Sequence, residues 1–249
     1  MSEVVIVTGC SQGVGLGIAT VYARAGALVV GCDHKAAHAS LSGLQNYHHV
    51  EVDLTADGAP QRVIDACVQR HGRLDTLVNN AGVGNAQPFE QTSPADFKRY
   101  YDINVAALIE CSRSALPHLK SSRGSIVNIA SVFGLVGAAQ SAAYVPTKYA
   151  VVGITRMLAT EYGRHGIRVN AVAPGLIHSP GTAQRIASSE WWHRMMIEGA
   201  PLGRVGQPEE IGEACAFLSS SKAGFITGVV LPVDGGYSMA KFLPNPEVE

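Results

Sequence analysis

Short apolar runs alternate along the chain with longer stretches whose apolar positions recur every three or four residues. The short runs fall at 4–7, 27–32, 49–52, 74–78, 125–130, 167–171 and 229–232, and their Val- and Ile-rich makeup reads as strands. Segments such as "SIVNIA" and "RVNAVA" suit strands covered on both faces. Between them, the helical period predicts helices over 13–25, 59–71, 94–119, 143–162 and 208–218. This alternation predicts an α/β fold, a single doubly wound domain over 1–249 with a central parallel sheet of about seven strands flanked by helices.

Local punctuation agrees. In "SPAD", Ser93 caps a helix, Pro94 takes its first position and Asp96 lies near its positive end. "QPEE" at 207–210 repeats the pattern. The stretch from about 179 to 206 has no strand signal, and loops of that length are usually functional or disordered. Its "SSEWWHRMMIEG" is rich in large apolar side chains, which favours a substrate lid. The last residues, at about 240–249, read as a short tail.

Composition narrows the function classes. With 249 residues, 47% hydrophobic and 16% charged, the chain is long enough for one large core. A net charge of −1 offers neither a basic surface for nucleic acid nor a polybasic patch for a membrane. The apolar start is too short for a signal peptide and no run reaches a membrane span, so a cytoplasmic location is expected. Cys10, Cys32, Cys67, Cys111 and Cys215 are scattered, lack Cys-x-x-Cys spacing and read as reduced, mostly buried thiols. No metal site is expected. His34 and His38 sit four apart in a short polar segment, and His48-His49 is a bare pair suited to a strand end.

The candidate chemistry lies at the strand ends, where ligands bind in such a fold. After the first strand comes "TGCSQGVG", with Gly9, Gly13 and Gly15. A strand, a glycine-rich turn and a helix N-terminus make a phosphate cradle, because free N–H groups and the helix dipole face the ligand. An ordinary strand-to-helix turn also carries glycines. No Lys-Ser/Thr follows the last glycine, which argues against a mononucleotide P-loop. Asp33 ends the second strand about 20 residues past the turn, where a carboxylate accepts from both ribose hydroxyls of an adenosine or caps a turn. Asp53 of "VDL" follows the third strand, beside the place an adenine would take, and "NNAG", Asn79 to Gly82, follows the fourth. The two amides of that motif also suit tying neighbouring strands together.

In "YVPTK", Tyr144 and Lys148 stand at i, i+4 and point from one helix face. A phenol, with a reference pKa near 10, is a poor base at neutral pH, and a nearby ammonium stabilises its phenolate. Thirteen residues earlier, Ser131 closes the fifth strand, where its hydroxyl reaches toward the same oxygen.

These pieces, in this order, resemble the short-chain dehydrogenase/reductase family in its form of about 250 residues. The resemblance runs over residues 3 to 236 and rests on "TGCSQGVG", Asp33, "VDL", "NNAG", Asn104 in "DINV", Ser131 in "NIAS", "YVPTK", "PGLI" and "ITGVVLPVDGG". It implies Tyr144 as general acid/base, Lys148 as the cation that lowers its pKa and binds the nicotinamide ribose, and Ser131 as hydrogen-bond partner of the substrate oxygen. It implies that Asn104 bends its helix and holds a water linking Lys148 to solvent. Gly9, Gly13 and Gly15 would line a pyrophosphate, and Asn80 would lie near the adenosine ribose. Ile177 would offer backbone groups to the nicotinamide amide and Ser179 a hydroxyl. Ser11, Gln12, Val14, Leu54, Ala81, Gly82, Pro174 and Gly175 complete the implied cofactor surface. Three departures stand out: Cys10 replaces a commoner small apolar residue, Pro146 sits inside the Tyr-to-Lys turn, and Ser179 stands where Thr is more usual.

The resulting expectation is an NAD(H)-dependent alcohol dehydrogenase or carbonyl reductase acting on a small-molecule alcohol or ketone. Phe133, Trp191, Trp192 and Met195 would give it an apolar pocket for a mid-sized substrate, while Arg185, His193 and Arg194 leave room for a carboxylate. The competing readings are an NADPH-dependent 3-oxoacyl-carrier reductase and a non-catalytic NAD-binding regulatory protein. Asp33 has the wrong sign for a 2′-phosphate, and the intact Ser-Tyr-Lys set argues against an idle protein. Enoyl reduction is disfavoured because relatives of that type place the Lys further from the Tyr. "INVAALIE" and "AVVGITRML" carry more apolar surface than one sheet face needs, so a homotetramer, or else a homodimer, is expected.

Overall fold

The first strand, β1 (Val4–Thr8), is buried along its whole length, and its side chains alternate between two cores. Val5 and Val7 join one core with Ile18, Tyr22, Val29 and Ile211. Val4 and Ile6 join the other with Val30, Ile64, Leu77 and Ile126. A strand apolar at every position requires cover on both faces, and helices supply it here. The structure is a computed structural model that describes residues 2–84 and 86–239. The tail expected at 240–249 lies outside the described residues.

The other strands are β2 (Leu28–Asp33), β3 (Tyr47–Glu51), β4 (Thr76–Asn79), β5 (Ser125–Ile129), β6 (Arg168–Pro174) and β7 (Val230–Val233). They form a seven-stranded sheet in the order β3-β2-β1-β4-β5-β6-β7, with every neighbouring pair parallel. The helices are α1 (Gly13–Arg24), α2 (Ala39–Ser42), α3 (Ala59–His71), α4 (Pro94–Tyr101), α5 (Ala107–Ser122), α6 (Tyr144–Tyr162), α7 (Pro180–Ser188), α8 (Glu190–His193) and α9 (Pro208–Ser219). Helices α1 and α9 cover one face of the sheet, and α3, α5 and part of α6 cover the other. This is the doubly wound, Rossmann-type arrangement. The chain leaves β1 toward β2 on one side and resumes at β4 on the other, so the loops after β1 and β4 diverge and open a crevice.

Two departures from the periodicity bear on function. The helix expected over 94–119 is interrupted, because residues Asp102–Ala106 form a π-helical turn between α4 and α5. An added residue per turn leaves the apolar period almost unchanged, so the pattern along the chain does not reveal it. Strand β3 begins at Tyr47 rather than at 49, and takes in both histidines of the pair. The strandless segment over 179–206 is helical, with α7, α8 and a second π-helical turn at Arg194–Glu198.

Candidate active site

The crevice between the loops after β1 and β4 is a cleft of about 690 Å³. The glycine turn forms its floor. Gly9 has φ +68°, and a Cβ there would stand 2.7 Å from Ala81 Cα. A Cβ on Gly15 would stand 2.0 Å from the Gly9 carbonyl oxygen. Much of the glycine requirement therefore comes from the protein closing on itself. With those side chains absent, α1 starts at Gly13 facing the cleft, and no acidic residue occupies its first turn. Free N–H groups and the positive dipole end give that start the chemistry a diphosphate needs.

The residues assigned to the dinucleotide line this cleft, from the glycine turn through Asp33, Asp53, Leu54, Asn80, Ala81 and Gly82 to Pro174, Gly175, Ile177 and Ser179. Ser11 stands behind them: its N–H donates to Asp33 Oδ2 at 3.0 Å. Asp33 Oδ1 accepts from the Lys35 N–H at 3.1 Å and lies 3.0 Å from His34 Nδ1. Asp53 accepts from the N–H and hydroxyl of Thr55 at 2.9 and 2.8 Å, and those bonds hold its carboxyl below the ordinary value. Asn80 ties the two loops together, its amide donating to the carbonyls of Thr8 and Gly9 at 2.9 Å each. This donor set fits a nicotinamide dinucleotide, with N–H groups for the diphosphate and a carboxylate for a ribose diol.

The residues expected to be catalytic converge at the other end. Ser131 follows β5 and caps a short 3₁₀ turn at Val132–Gly134. Tyr144 and Lys148 occupy the first two turns of α6. Pro146 also lies in that first turn, where no intrahelical N–H is needed. Ser131 and Tyr144 both line the cleft, and the Ser131 hydroxyl pulls the Tyr144 phenol down. Lys148 Nζ donates to the Ile129 carbonyl at 2.9 Å and lies 5.6 Å from the centroid of the Tyr144 ring. Lys148 is only 5% exposed, and burial pushes its amine down from 10.5 to about 8. Burial pushes the Tyr144 phenol up, against the pull of the Ser131 hydrogen bond and of Arg185's charge. In the protein alone desolvation prevails, and the charge that pulls the phenol down is that of Arg185 rather than the expected one of Lys148.

Asn104 sits in the π-helical turn, buried, and does not line the cleft. Its Oδ1 accepts from the Val83 N–H at 2.8 Å. Its Nδ2 donates to the Val83 carbonyl and to Thr147 Oγ1, both at 3.0 Å. A Cβ added at Gly82 would stand 3.1 Å from Asn104 Oδ1 and 3.7 Å from Lys148 Nζ. Asn104 therefore joins the β4 loop to α6 one residue from Lys148.

Of the expected substrate wall, Phe133, Trp192 and Met195 gather with Leu176, Met196 and Tyr144 in one apolar cluster. Trp191 departs from expectation. It is 53% exposed and meets only the edge of Trp192, at 6.2 Å between ring centroids, because α8 is one turn long and shows its two tryptophans in different directions. Sequence reasoning missed Arg99 and Gly84, which line the cleft, and Tyr100, whose charge reaches Tyr144. Arg185, expected only as a partner for a substrate carboxylate, also reaches Tyr144 with its charge and lies with its guanidinium 5.1 Å above the Trp192 ring. Only the helical period over 94–119 pointed toward Arg99 and Tyr100. Among the described residues, no His, Cys, Asp and Glu group is arranged to hold a metal, and no helix is long and apolar enough to cross a membrane.

A parallel doubly wound sheet with a phosphate turn after β1 and a Ser-Tyr-Lys set on β5 and α6 defines a nucleotide-dependent oxidoreductase of the short-chain dehydrogenase/reductase family. The chain belongs to that family: a family model described as enoyl-(acyl carrier protein) reductase matches residues 9–238. It is 40% identical to the L-fucose dehydrogenase of Mus musculus over 243 residues, covering 94% of this chain and 88% of that protein. It is 37% identical to the cyclopentanol dehydrogenase of Comamonas testosteroni, over 95% of this chain and 97% of that protein. A solved structure of the 3-ketoacyl-(acyl-carrier-protein) reductase from Brucella melitensis, complexed with NADH, superposes with a TM-score of 0.88 at 32% identity, covering 95% of this chain and 98% of that one.

Proposed function

We propose that this chain is an NAD-dependent oxidoreductase that interconverts a secondary alcohol and a ketone on a mid-sized, largely apolar substrate. The observation that carries the reading is that Ser131, Tyr144 and Lys148 line the same cleft as the glycine turn. When bound, the nicotinamide ring supplies the hydride acceptor for the carbinol carbon. Tyr144 takes the carbinol proton as the C=O bond forms, and returns one in the reverse direction. Ser131 hydrogen-bonds the same oxygen and holds it against the phenol. Lys148, as an ammonium below about pH 8, stabilises the phenolate across the cleft wall. Its charge stands 5.6 Å from the centre of the Tyr144 ring, and a cation that near favours the phenolate. That opposes the upward push of burial on Tyr144.

Asp33 supports NAD over NADP. Its carboxylate lines the cleft, where it meets ribose hydroxyls favourably and a 2′-phosphate unfavourably. L-Fucose in its ring form and cyclopentanol, the compounds for which two relatives are named, share a ring-borne hydroxyl, so cyclic carbinols are the substrates to test first. The helices over 180–193 act as a lid over the apolar cluster that includes Tyr144. A second reading, an NADPH-dependent 3-oxoacyl-carrier reductase, draws on Lys35, whose Nζ reaches Gln12 Oε1 at 3.2 Å beside the phosphate turn. Initial rates on a panel of cyclic and acyclic secondary alcohols and ketones, with NAD(H) and NADP(H), test both. Oxidation of cyclic carbinols with NAD is expected, and exclusive reduction of 3-oxoacyl thioesters with NADPH would replace the first reading by the second.

A further inference from the structure

Two features left without a role by the sequence, the cysteine in the glycine turn and the His48-His49 pair, meet in one hydrogen-bonded chain. Cys10 Sγ lies 3.2 Å from Tyr47 Oη, Tyr47 Oη lies 2.8 Å from His49 Nδ1, and His49 Nε2 lies 2.8 Å from the Lys35 carbonyl oxygen. A carbonyl only accepts, so His49 donates from Nε2. The neutral ring then accepts at Nδ1, and the donor is the Tyr47 hydroxyl. The Tyr47 oxygen can then only accept from the Cys10 thiol, which also reaches the Cys32 carbonyl at 3.7 Å. Burial pushes the Cys10 thiol up to about 11 and the Tyr47 phenol far above its ordinary value, so both carry their protons at neutral pH. The chain has one direction, from Cys10 through Tyr47 and His49 to Lys35.

Strand β2 leaves space for it. A Cβ at Gly31 would stand 2.2 Å from Tyr47 Oη and 2.5 Å from Cys10 Sγ. A glycine inside a strand is unfavourable relative to alanine, and here its bare backbone admits the phenol and the thiol. The far end of the chain matters because of what Lys35 carries. Its carbonyl also accepts from Ser11 Oγ at 3.2 Å, its N–H donates to Asp33 Oδ1 at 3.1 Å, and its Nζ donates to Gln12 Oε1 at 3.2 Å. The peptide after Asp33 is thus held by the glycine turn on one side and by β3 on the other.

We propose that Cys10, Tyr47 and His49 form a positioning strut for the adenosine-ribose end of the cofactor site, fixing the 33–35 segment and with it the direction in which Asp33 meets a ribose diol. The inference rests on the dinucleotide reading above. Without the strut, the Lys35 peptide keeps only the Ser11 contact at its carbonyl, and the Asp33 carboxylate loses a fixed partner. Loss of one such hydrogen bond corresponds to about a three- to tenfold change in affinity. The glutamine amide offers a donor and an acceptor at a spacing close to that of the imidazole, so it can replace both bonds of His49.

The test is direct titration of NADH and NADPH by fluorescence, on the wild type and on His49→Phe, Tyr47→Phe and His49→Gln, with thermal melting of each. His49→Phe is expected to weaken NADH about fivefold and NADPH less, so that the NADH-to-NADPH affinity ratio falls. Tyr47→Phe is expected to shift the ratio in the same direction by a smaller factor, and provides the test if His49→Phe does not fold. His49→Gln is expected to restore the wild-type ratio. An unchanged ratio in both disruptive variants, whatever their melting temperatures, overturns the strut and leaves the cofactor reading standing. A wild type that binds neither dinucleotide overturns the cofactor reading and the strut together.

Discussion

Lys148 keeps its amine in the cleft wall with a single backbone carbonyl, that of Ile129, as hydrogen-bond acceptor. Its folded pKa of about 8 lies below the ordinary 10.5, so between those values the unfolded chain binds more protons than the folded one. Stability therefore rises with pH through that window, and below it the buried charge costs roughly 3 kcal/mol. Lys148→Met is expected to flatten this rise and to be at least as stable as the wild type at pH 7, while losing turnover. Urea unfolding of both proteins from pH 7 to 10 checks it, and a wild type with no gain in stability across that range would count against a buried ammonium. Tyr144→Phe is expected to lower kcat by about 10²–10⁴-fold, the usual contribution of a general acid/base. Dinucleotide affinity is expected to be retained, as read by the same fluorescence titration. The raised phenol also sets a pH sign: alcohol oxidation needs the phenolate and is expected to climb through the alkaline range, with carbonyl reduction favoured on the acid side. At the opposite end of the cleft, Asp33→Ala is expected to narrow the preference for NAD mainly by improving NADP. A unit-charge pair about 4 Å apart at a dielectric of 20 repels by roughly 4 kcal/mol, and even a third of that is about tenfold. Equal wild-type kcat/KM with both cofactors would show that Asp33 does not discriminate.

The element that most shapes the site is the π-helical turn at Asp102–Ala106. It separates α4 from α5 and aims the Asn104 amide at the Val83 backbone on one side and at Thr147 on the other. Thr147 Oγ1 in turn donates to the Tyr144 carbonyl at 2.7 Å, so the first turn of α6 is tied to the β4 loop through the side chains of Asn104 and Thr147. Asn104→Ala leaves the Val83 N–H and carbonyl without these partners inside the fold. The cost is roughly 1–3 kcal/mol per unsatisfied buried group. A lowered melting temperature together with a fall in kcat is expected. A variant with unchanged melting and unchanged kcat would mean that the turn is held by α4 and α5 alone. In the lid, Trp192 packs in the cluster with Tyr144 while Trp191 faces outward. Replacing Trp192 by alanine is therefore expected to raise KM for a cyclic carbinol, and replacing Trp191 to leave it unchanged.

At the scale of the whole molecule, most of the apolar surface expected to pair subunits is used within the chain. Val105 and Leu108, and Val151, Val152 and Leu158, are buried in the protein itself. Exposed apolar side chains include Tyr149 and Met157 on α6, and Phe217, Phe225 and Val229 on and after α9, ahead of the edge strand β7, while others, among them Phe89, Tyr101 and Leu202, lie elsewhere on the surface. Two distinct self-complementary patches generate a closed tetramer, whereas one generates a dimer. A homotetramer is the expectation, with a light-scattering mass four times the 26.2 kDa of the chain. Phe225→Asp combined with Phe217→Asp is expected to leave a dimer, and a monomeric wild type at micromolar concentration would overturn the assembly.

The sheet, the phosphate turn, Asp33 and the Tyr144–Lys148 pair were legible in the amino-acid sequence because each is a local pattern. A strand reads as a β-rich apolar run, a helix face as a spacing of three or four, and a phosphate turn as glycines between a strand and a helix. The order of the pieces then brought Ser131 to the same oxygen, since β-α alternation puts every strand end on one edge of the sheet. Tertiary structure alone decided the contacts that cross the chain. Asn104 reaches Val83 over 21 residues of sequence, and Cys10 reaches Tyr47 over 37. A side chain that hydrogen-bonds backbone or a distant partner leaves no period behind, so the periodicity of "DINV" or "YHHVE" does not announce it, and the bend at Asn104 was legible only through the family resemblance. The pKa values of the pair were equally out of reach of the sequence. Spacing puts a cation beside a phenol, but burial, a property of the packed whole, pushes the phenol up and the amine down.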